Sequence, residues 1–269
     1  MLRIGIIGCG TIGTRLAKYI DGSLRNKAKL SALSDIDEEK ARRLANALKS
    51  KPKIRSTDGL INCVDLVIEA ASAKVSYKIA KRAVSKGKDV MTMSTGGLLK
   101  GFRSLFELAD KKRCNVYLPS GALCGLDGIK GARFSGIKKV TLTTRKPPLG
   151  FKGAPYVVKK NIDLSKITSE EVLFEGDALR AIEHFPANIN VAATLSLCGI
   201  GSKKTKVKII ASPKINRNIH EVEVEGKFGR LIARTENVPS PDNPKTSYLA
   251  ILSAIATLNG ILKQVKIGT

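Results

Sequence analysis

The sequence of 269 residues contains no tryptophan, 4% aromatic residues, two histidines and five cysteines. So few aromatic side chains argue against nucleic-acid binding by base stacking. The cysteines are odd in number and none forms a CxxC pair, so we predict reduced thiols and no metal site. The longest nearly uncharged stretch, residues 188–202, is too short and too polar to cross a membrane. Without a predicted signal peptide, we expect a cytoplasmic protein.

Acidic residues are also scarce: 23 Asp and Glu stand against 47 Lys and Arg, which gives a formal charge of +24. The excess is spread through both halves of the chain, without a basic tail or an arginine-rich segment. This distribution favours a lysine-rich solvated surface over a nucleic-acid partner. A positive surface would also steer an anionic substrate toward a cleft.

A glycine-rich turn, GCGTIG, lies between the predicted strand Leu2–Ile7 and a predicted helix over Thr14–Ile20. A GxGxxG segment in this context is typical of dinucleotide-binding folds. Gly8 allows the tight turn, Gly10 lets the backbone approach a pyrophosphate, and Gly13 lets the helix pack on the strand. The free N–H groups at the start of the helix would face the phosphates.

Acidic residues follow the second predicted strand, Lys29–Ser34. We assign Asp35 to the ribose hydroxyls of NAD and Asp37 to the cap of the next helix, although either aspartate could simply be a cap. The basic residues that follow could instead accept the 2′-phosphate of NADP, so both cofactors stay open; these residues are Lys40, Arg42 and Arg43.

Strand and helix patterns alternate through the first half and predict a doubly wound, Rossmann-type parallel sheet. The further strands are expected at Asp65–Ala70, Asp89–Met93 and Asn115–Leu118, and the helices at Ala73–Lys86 and Leu98–Lys112. Ligands of such sheets bind beyond the carboxyl ends of the strands, which makes Ala71 and Ser72 candidate cofactor contacts.

From about residue 137 the apolar pattern changes to period two and predicts a second α+β domain with an open, largely antiparallel sheet. Its strands are expected at Lys139–Arg145, Lys206–Ala211, His220–Val224 and Phe228–Thr235, with helices at Asn188–Leu197 and Tyr248–Leu262 and loops at Pro147–Pro148 and Pro239–Pro244. We expect a dinucleotide-binding domain over residues 1–120 and a substrate and dimerisation domain over 121–245. The helical segment 246–269 is expected to pack back on the first domain.

Several longer motifs carry a family resemblance beyond the common glycine turn: STGGLL, LPSGALCGLDGI, FPANINVAATLSL, NIHEVEVEGKFG and ENVPSPDNPKTSYLA. In this order they resemble the archaeal and bacterial L-aspartate dehydrogenases over nearly the whole chain. The resemblance implies a homodimeric, NAD(P)-dependent enzyme that interconverts L-aspartate with oxaloacetate and ammonia through iminoaspartate. It also implies a link to NAD biosynthesis, because iminoaspartate feeds quinolinate formation.

The resemblance also implies roles for individual residues. Ala122 and Asn188 match cofactor contacts, and His220 matches the proposed catalytic histidine. The predicted cofactor-binding residues are Gly8, Gly10, Thr11, Ile12, Gly13, Asp35, Ala71, Ser72, Ala122 and Asn188.

The residues themselves support His220 as a proton carrier, since an imidazole with a pKa of about 6.5 suits proton transfer at an amine and at a water. His184 is expected to lie beside the site or on the surface, and a catalytic thiolate at Cys124 is the less favoured alternative. Lys245 and Thr246 are candidates for binding the substrate carboxylates, although their segment could equally be a loop and a helix cap.

Two other interpretations stay open. One is a different reductase on the same scaffold, of the dihydrodipicolinate reductase or homoserine dehydrogenase type, because fold alone does not decide function. The other is a non-catalytic protein that binds nucleotides or nucleic acid.

Overall fold

The structure is a computed structural model that describes residues 1–186, 189–265 and 267–268, with the backbone only at 189, 244 and 245. It divides into two compact units. Unit 1 contains Met1–Pro119 and Ile251–Val265, and unit 2 contains Ser120–Ala250. Within the described ranges, no helix is long and apolar enough to cross a membrane.

The elements are numbered in chain order. The strands are β1 (Leu2–Ile7), β2 (Ala28–Ser34), β3 (Lys53–Ile54), β4 (Leu66–Glu69), β5 (Asp89–Thr92), β6 (Val116–Tyr117), β7 (Ile137–Lys146), β8 (Glu171–Asp177), β9 (Thr205–Ala211), β10 (Asn218–Gly226), β11 (Gly229–Asn237), β12 (Pro239–Ser240) and β13 (Asn243–Ser247). The α-helices are α1 (Thr11–Gly22), α2 (Glu38–Ala47), α3 (Thr57–Cys63), α4 (Ala73–Ser85), α5 (Phe102–Lys112), α6 (Leu126–Ala132), α7 (Pro155–Lys159), α8 (Ala178–His184), α9 (Ile189–Cys198) and α10 (Tyr248–Leu262).

Unit 1 is built on a six-stranded parallel sheet in the order β3-β2-β1-β4-β5-β6. Its central strands are continuous apolar runs that are buried on both faces, as helix-covered parallel strands require. Helix α10 adds Ala254 and Leu258 to the same core as β1 and α1. The predicted Rossmann-type sheet is confirmed.

Unit 2 is built on a five-stranded sheet in the order β11-β10-β7-β9-β8. All its neighbouring pairs are antiparallel except β7 and β9, which run parallel. Apolar residues alternate along β7 and β10 and form one core with residues of β9, α8 and α9. The predicted, largely antiparallel sheet is confirmed.

Three local expectations were wrong. Strand β8 lies in a segment for which the sequence predicted neither a strand nor a helix. The loop expected at Pro239–Pro244 contains β12 and the start of β13. The helix expected from Leu98 begins at Phe102, because Thr95–Leu98 forms a separate 3-10 turn. All three are short or irregular segments, where hydrophobic periodicity carries little information.

Candidate active site

The glycine turn of unit 1 has the geometry that a dinucleotide needs. Gly8 has a φ of +101° and lies against the Ala70 carbonyl, so a side chain there would be strained and would clash. A Cβ on Gly13 would overlap the Gly8 carbonyl, which explains how α1 packs so closely on β1. At Gly10, the residue before α1, no side chain caps the helix, and a Cβ would meet no protein atom within 4 Å.

A cleft of about 880 Å³ opens beside this turn at the carboxyl ends of the strands. The predicted cofactor residues that line it are Gly8, Gly10, Asp35, Ala71 and Ser72. Basic side chains also line it, namely Lys40, Arg55, Lys78 and Arg82. The cleft therefore combines the N-terminal end of α1 with positive charge, as a pyrophosphate requires.

Asp35 is held rigidly at the end of β2. Its carboxylate accepts hydrogen bonds from the backbone N–H of Cys9 at 2.6 Å and of Asp37 at 2.9 Å. Asp37 caps α2 by accepting from the N–H of Lys40 at 3.3 Å, which confirms its predicted role. The ribose contact of Asp35 stays a prediction.

The basic residues considered for a 2′-phosphate are mostly engaged locally. Arg42 pairs with Glu38 at 2.6 Å and with Glu39 at 3.6 Å, and Lys40 lies 3.5 Å from Asp37. Lys40 nevertheless lines the cleft.

Glu69, which the sequence did not indicate, joins the loops that follow β4 and β5. This fully buried carboxyl accepts from the N–H of Ala71 at 2.8 Å, and from the N–H and the hydroxyl of Ser94 at 3.2 and 3.0 Å. Burial raises its pKa, which these hydrogen bonds oppose. Glu69 thus fixes the backbone of Ala71 at the edge of the cleft.

The surroundings of Cys9 in unit 1 and of Cys124 in unit 2 disfavour the thiolate form. Burial raises the pKa of Cys9 to about 12, with a contribution from the charge of Asp35, and burial also raises the pKa of Cys124. Reactive cysteines need the opposite shift. A catalytic thiolate is therefore not supported by the surroundings of Cys124.

His220 lies in unit 2, on the inner face of β10 and only 4% exposed. Its Nδ1 is 3.0 Å from the Oγ1 of Thr144, the residue opposite it on β7. Burial lowers its pKa to about 3, and the charge of Lys146 adds to this shift. The expectation of an ordinary imidazole pKa was therefore wrong, because the sequence did not show that His220 is buried beside a cation.

Hydrogen bonds connect the loop of Ala122 to the strand beside His220. The Ala122 carbonyl accepts from Thr235 Oγ1 at 2.8 Å and from Asn237 Nδ2 at 3.3 Å. Thr235 is the register partner of His220 on β11. The hydroxyl of Ser247 donates to Asn237 Oδ1 at 2.8 Å. Two of the sequence motifs, LPSGALCGLDGI and ENVPSPDNPKTSYLA, therefore meet at the buried Asn237.

The remaining predicted residues lie apart from these contacts or outside the description. Asn188 lies outside the described residues, and the side chain of Lys245 is not described. Thr246 is a half-buried residue of β13. His184 packs among aromatic rings, with centroid distances of 5.2 Å to Tyr156 and 5.5 Å to Phe174.

Comparison with known proteins decides the family. Residues 127–261 match the family model described as aspartate dehydrogenase, C-terminal, and residues 8–119 match the homoserine dehydrogenase NAD binding domain. L-aspartate dehydrogenases of Methanosarcina mazei and Methanosarcina acetivorans are 53% and 52% identical to this chain, with both chains of each pair covered completely. The chain belongs to the aspartate dehydrogenase family.

The fold agrees with a solved member of the family. The crystal structure of aspartate dehydrogenase from Thermotoga maritima matches with a TM-score of 0.75 and 26% identity, and covers 100% of both chains. The NAD binding domain model spans the turn and the cleft described above. These residues fit NAD(P), whose pyrophosphate would lie at Gly10 and the start of α1.

Neither the sequence motifs nor the resemblance to aspartate dehydrogenases indicated four residues around His220 and Ala122, namely Thr144, Lys146, Thr235 and Asn237. Their surroundings depend on contacts between strands that are far apart in sequence, which no local pattern encodes. The sequence contained a weak indication for Thr144 and Lys146, because both occupy positions of β7 that alternate in step with its buried apolar residues.

Proposed function

We propose that this chain is an L-aspartate dehydrogenase that uses NAD(P) to convert L-aspartate to oxaloacetate and ammonia through iminoaspartate. The observation that carries the proposal is the similarity, over the full length of the chain, to proteins named L-aspartate dehydrogenase. The dinucleotide-compatible cleft of unit 1 and the histidine of unit 2 support it.

Oxidation of an amine to an imine requires the loss of a hydride from C2 and of a proton from nitrogen. When bound, the nicotinamide supplies the hydride acceptor. We assign the proton transfer to His220: its Nε2 accepts the amine proton and returns it to the imine nitrogen, which prepares C2 for the addition of water. Nε2 then takes a proton from the adding water, passes it to the amino nitrogen, and takes up the remaining hydroxyl proton as ammonia leaves and the C=O bond forms. Release of that last proton to solvent restores the neutral imidazole. For Nε2 to be free, Nδ1 must carry the hydrogen and donate it to Thr144 Oγ1.

The low pKa of free His220 fits this role if the substrate changes its surroundings. Burial is the main cause of the low imidazole pKa, and the charge of Lys146 adds to it. A carboxylate bound nearby offsets the second effect and so makes His220 a stronger base. The histidine would then become competent when the dicarboxylate is present.

The proposal is tested by following NAD(P)H absorbance with L-aspartate, with oxaloacetate plus ammonia, and with homoserine. We expect turnover with the first two only. His220→Ala should lower kcat by about 10²–10⁴-fold and leave NAD binding intact. Turnover with homoserine alone would support the homoserine dehydrogenase interpretation, and no turnover with any substrate would support a binding protein.

The proposed cofactor contacts are the ten residues named from the sequence, including Asn188. We further propose that residues 1–120 bind the cofactor and that 121–245 bind the substrate, with Lys245 and Thr246 as weaker candidates for the carboxylates. Equilibrium binding of NAD to variants of Asp35 and Ala122 tests the first assignment.

We also propose a cytoplasmic homodimer that supplies iminoaspartate for NAD biosynthesis. Light scattering of the purified chain tests the dimer, and fractionation of the source cells tests the location. Trapping of iminoaspartate by a quinolinate-forming enzyme, added to the reaction with aspartate, tests the metabolic link.

A further inference from the structure

Lys146, the last residue of β7, carries a buried ammonium group on the face of the sheet that holds His220. Its side chain is 9% exposed, and it lies two residues after Thr144, which faces His220 across the strand pair. The charge of Lys146 acts on the imidazole of His220. The two basic groups therefore lie on the same face of the unit 2 sheet, close enough for the charge of Lys146 to act on the imidazole.

The described residues provide no negative charge for this ammonium. No acidic side chain within the described ranges forms an ion pair or hydrogen bond with Lys146. Its Nζ lies 5.9 Å from the ring centroid of Phe151. The neighbouring Arg145 lies on the opposite face of β7. It forms ion pairs with Glu170 at 3.2 Å and with Glu221 at 3.9 Å.

A buried cation without a counter-ion is costly, and burial lowers the pKa of Lys146 to about 8. Lys146 in turn acts on His220, which is neutral near pH 7. Such a position is poor for stability and good for binding an anion, because a bound carboxylate would supply the missing charge.

The surroundings of Lys146 extend to the segment FPANIN. The ring of Phe151 packs edge-on against Phe185, with centroids 5.9 Å apart, and Phe185 is the first residue of that motif. The ring of Phe151 thus links the surroundings of the buried cation to Phe185, a described residue of this motif.

We propose that Lys146 binds a carboxylate of the dicarboxylate substrate and thereby selects for it. The inference rests on the proposed function, whose substrate is aspartate. Because the bound carboxylate favours the charged form of Lys146, binding takes up protons when the solution pH lies near the pKa of the free lysine. The same carboxylate reduces the effect of Lys146 on His220.

The test uses succinate, a dicarboxylate that lacks the reacting amine, titrated calorimetrically into the full chain in the presence of NAD. Lys146→Met should weaken succinate binding by at least about tenfold, and Lys146→Arg should retain part of it. At pH 8, in buffers of different ionisation enthalpy, the unmodified chain should take up about half a proton per site. Lys146→Met should take up none.

Lys138→Met is the matched control, because Lys138 is an exposed lysine on the same strand. It should bind succinate normally. Lys146→Met should also raise Tm, since it removes a buried charge, so weaker binding would not reflect misfolding. If Lys146→Met fails to fold, the proton uptake of the unmodified chain and of Lys146→Arg decides.

Succinate binding by Lys146→Met within twofold of the unmodified chain, or no proton uptake by the unmodified chain, would overturn the inference. Aspartate oxidation by the unmodified chain, followed by NAD(P)H absorbance, separates failure of the Lys146 assignment from failure of the proposed function. If that chain oxidises aspartate but Lys146→Met binds succinate normally, only the role of Lys146 is wrong. If that chain does not oxidise aspartate, the proposed function itself fails.

Discussion

At the scale of single residues, the candidate chemistry of unit 2 depends on how Thr144 holds His220. The hydroxyl at 3.0 Å from Nδ1 is the side-chain partner of the imidazole among the described residues. A neutral imidazole has two tautomers, and this hydrogen bond can select one of them. Thr144 is therefore assigned as a positioning residue.

Replacing Thr144 with valine keeps the shape of the side chain and removes this partner. We expect kcat with aspartate to fall roughly tenfold, which corresponds to one buried hydrogen bond, with little change in NAD affinity. Thr144→Ser should restore most of the activity, because serine retains the hydroxyl.

Thr141→Val is a matched control on the same strand. The Thr141 hydroxyl is buried without a hydrogen-bond partner in the described part of the chain, so its loss should not reduce activity or stability. Equal loss of kcat in the Thr141 and Thr144 variants would contradict a specific role for Thr144.

At the scale of elements, the β1–α1 turn offers a sharp test of the cofactor cleft. Gly13→Ala should displace α1 from β1, because the added Cβ overlaps the Gly8 carbonyl. We expect NAD affinity to fall by more than about tenfold and Tm to drop. Fluorescence titration and thermal unfolding measure the two effects.

Gly22→Ala is the control at the other end of α1. A Cβ there meets no atom within 4 Å, so NAD affinity should not change, and the helix should be slightly more stable. The assignment of the turn would be wrong if both alanine variants bound NAD equally well.

The ends of β11 and β13 are joined to the Ala122 loop by Asn237. Asn237→Ala leaves the Ser247 hydroxyl without its acceptor and removes one donor from the Ala122 carbonyl. We expect a loss of about 1–3 kcal/mol in the free energy of unfolding, together with weaker NAD binding if Ala122 contacts the cofactor. Urea denaturation and NAD titration measure these changes.

Asn218→Ala serves for comparison, because Asn218 is the register partner of Asn237 and is less buried. Its effects on unfolding and on NAD binding should both be small. If it matched Asn237→Ala, the network around Asn237 would have no special role.

Helices and strands with a regular hydrophobic periodicity were predictable from the sequence. The order of strand, glycine turn and helix at β1–α1, the range of α10 and the alternation in β7 and β10 are all confirmed. Strand β8 was missed, because its register shifts between Val172 and Phe174 and Val172 is half exposed. The burial of Lys146 beside His220 and the hydrogen-bond partners of Asn237 were not predictable, since they depend on the pairing of β7, β10 and β11.

At the scale of the whole molecule, two buried basic groups should make stability depend on pH. His220 has a pKa of about 3 in the folded chain, against about 6.5 when unfolded. Below pH 6.5 the unfolded chain binds more protons, so the free energy of unfolding falls by about 1.4 kcal/mol per pH unit from this group. Lys146, with a folded pKa of about 8, should add stability as pH rises from 8 toward about 10.5.

Urea denaturation of the unmodified chain and of His220→Gln at pH 6.5 and pH 5 tests the acid side. We expect the unmodified chain to lose about 2 kcal/mol more than the variant over this interval. Carboxylates with lowered pKa, such as Asp21 and Asp65, contribute equally in both proteins and cancel. Parallel pH profiles would mean that His220 can be protonated in the folded chain.

The core of unit 1 includes a helix from the far end of the polypeptide. Ala254 and Leu258 of α10 are fully buried with residues of β1 and α1, and Asn259 donates to the hydroxyl of Tyr19 at 2.7 Å. During synthesis on the ribosome, the first half of the chain emerges long before these partners do. The nascent glycine-turn half must therefore wait, with part of its apolar surface uncovered, until α10 has been translated.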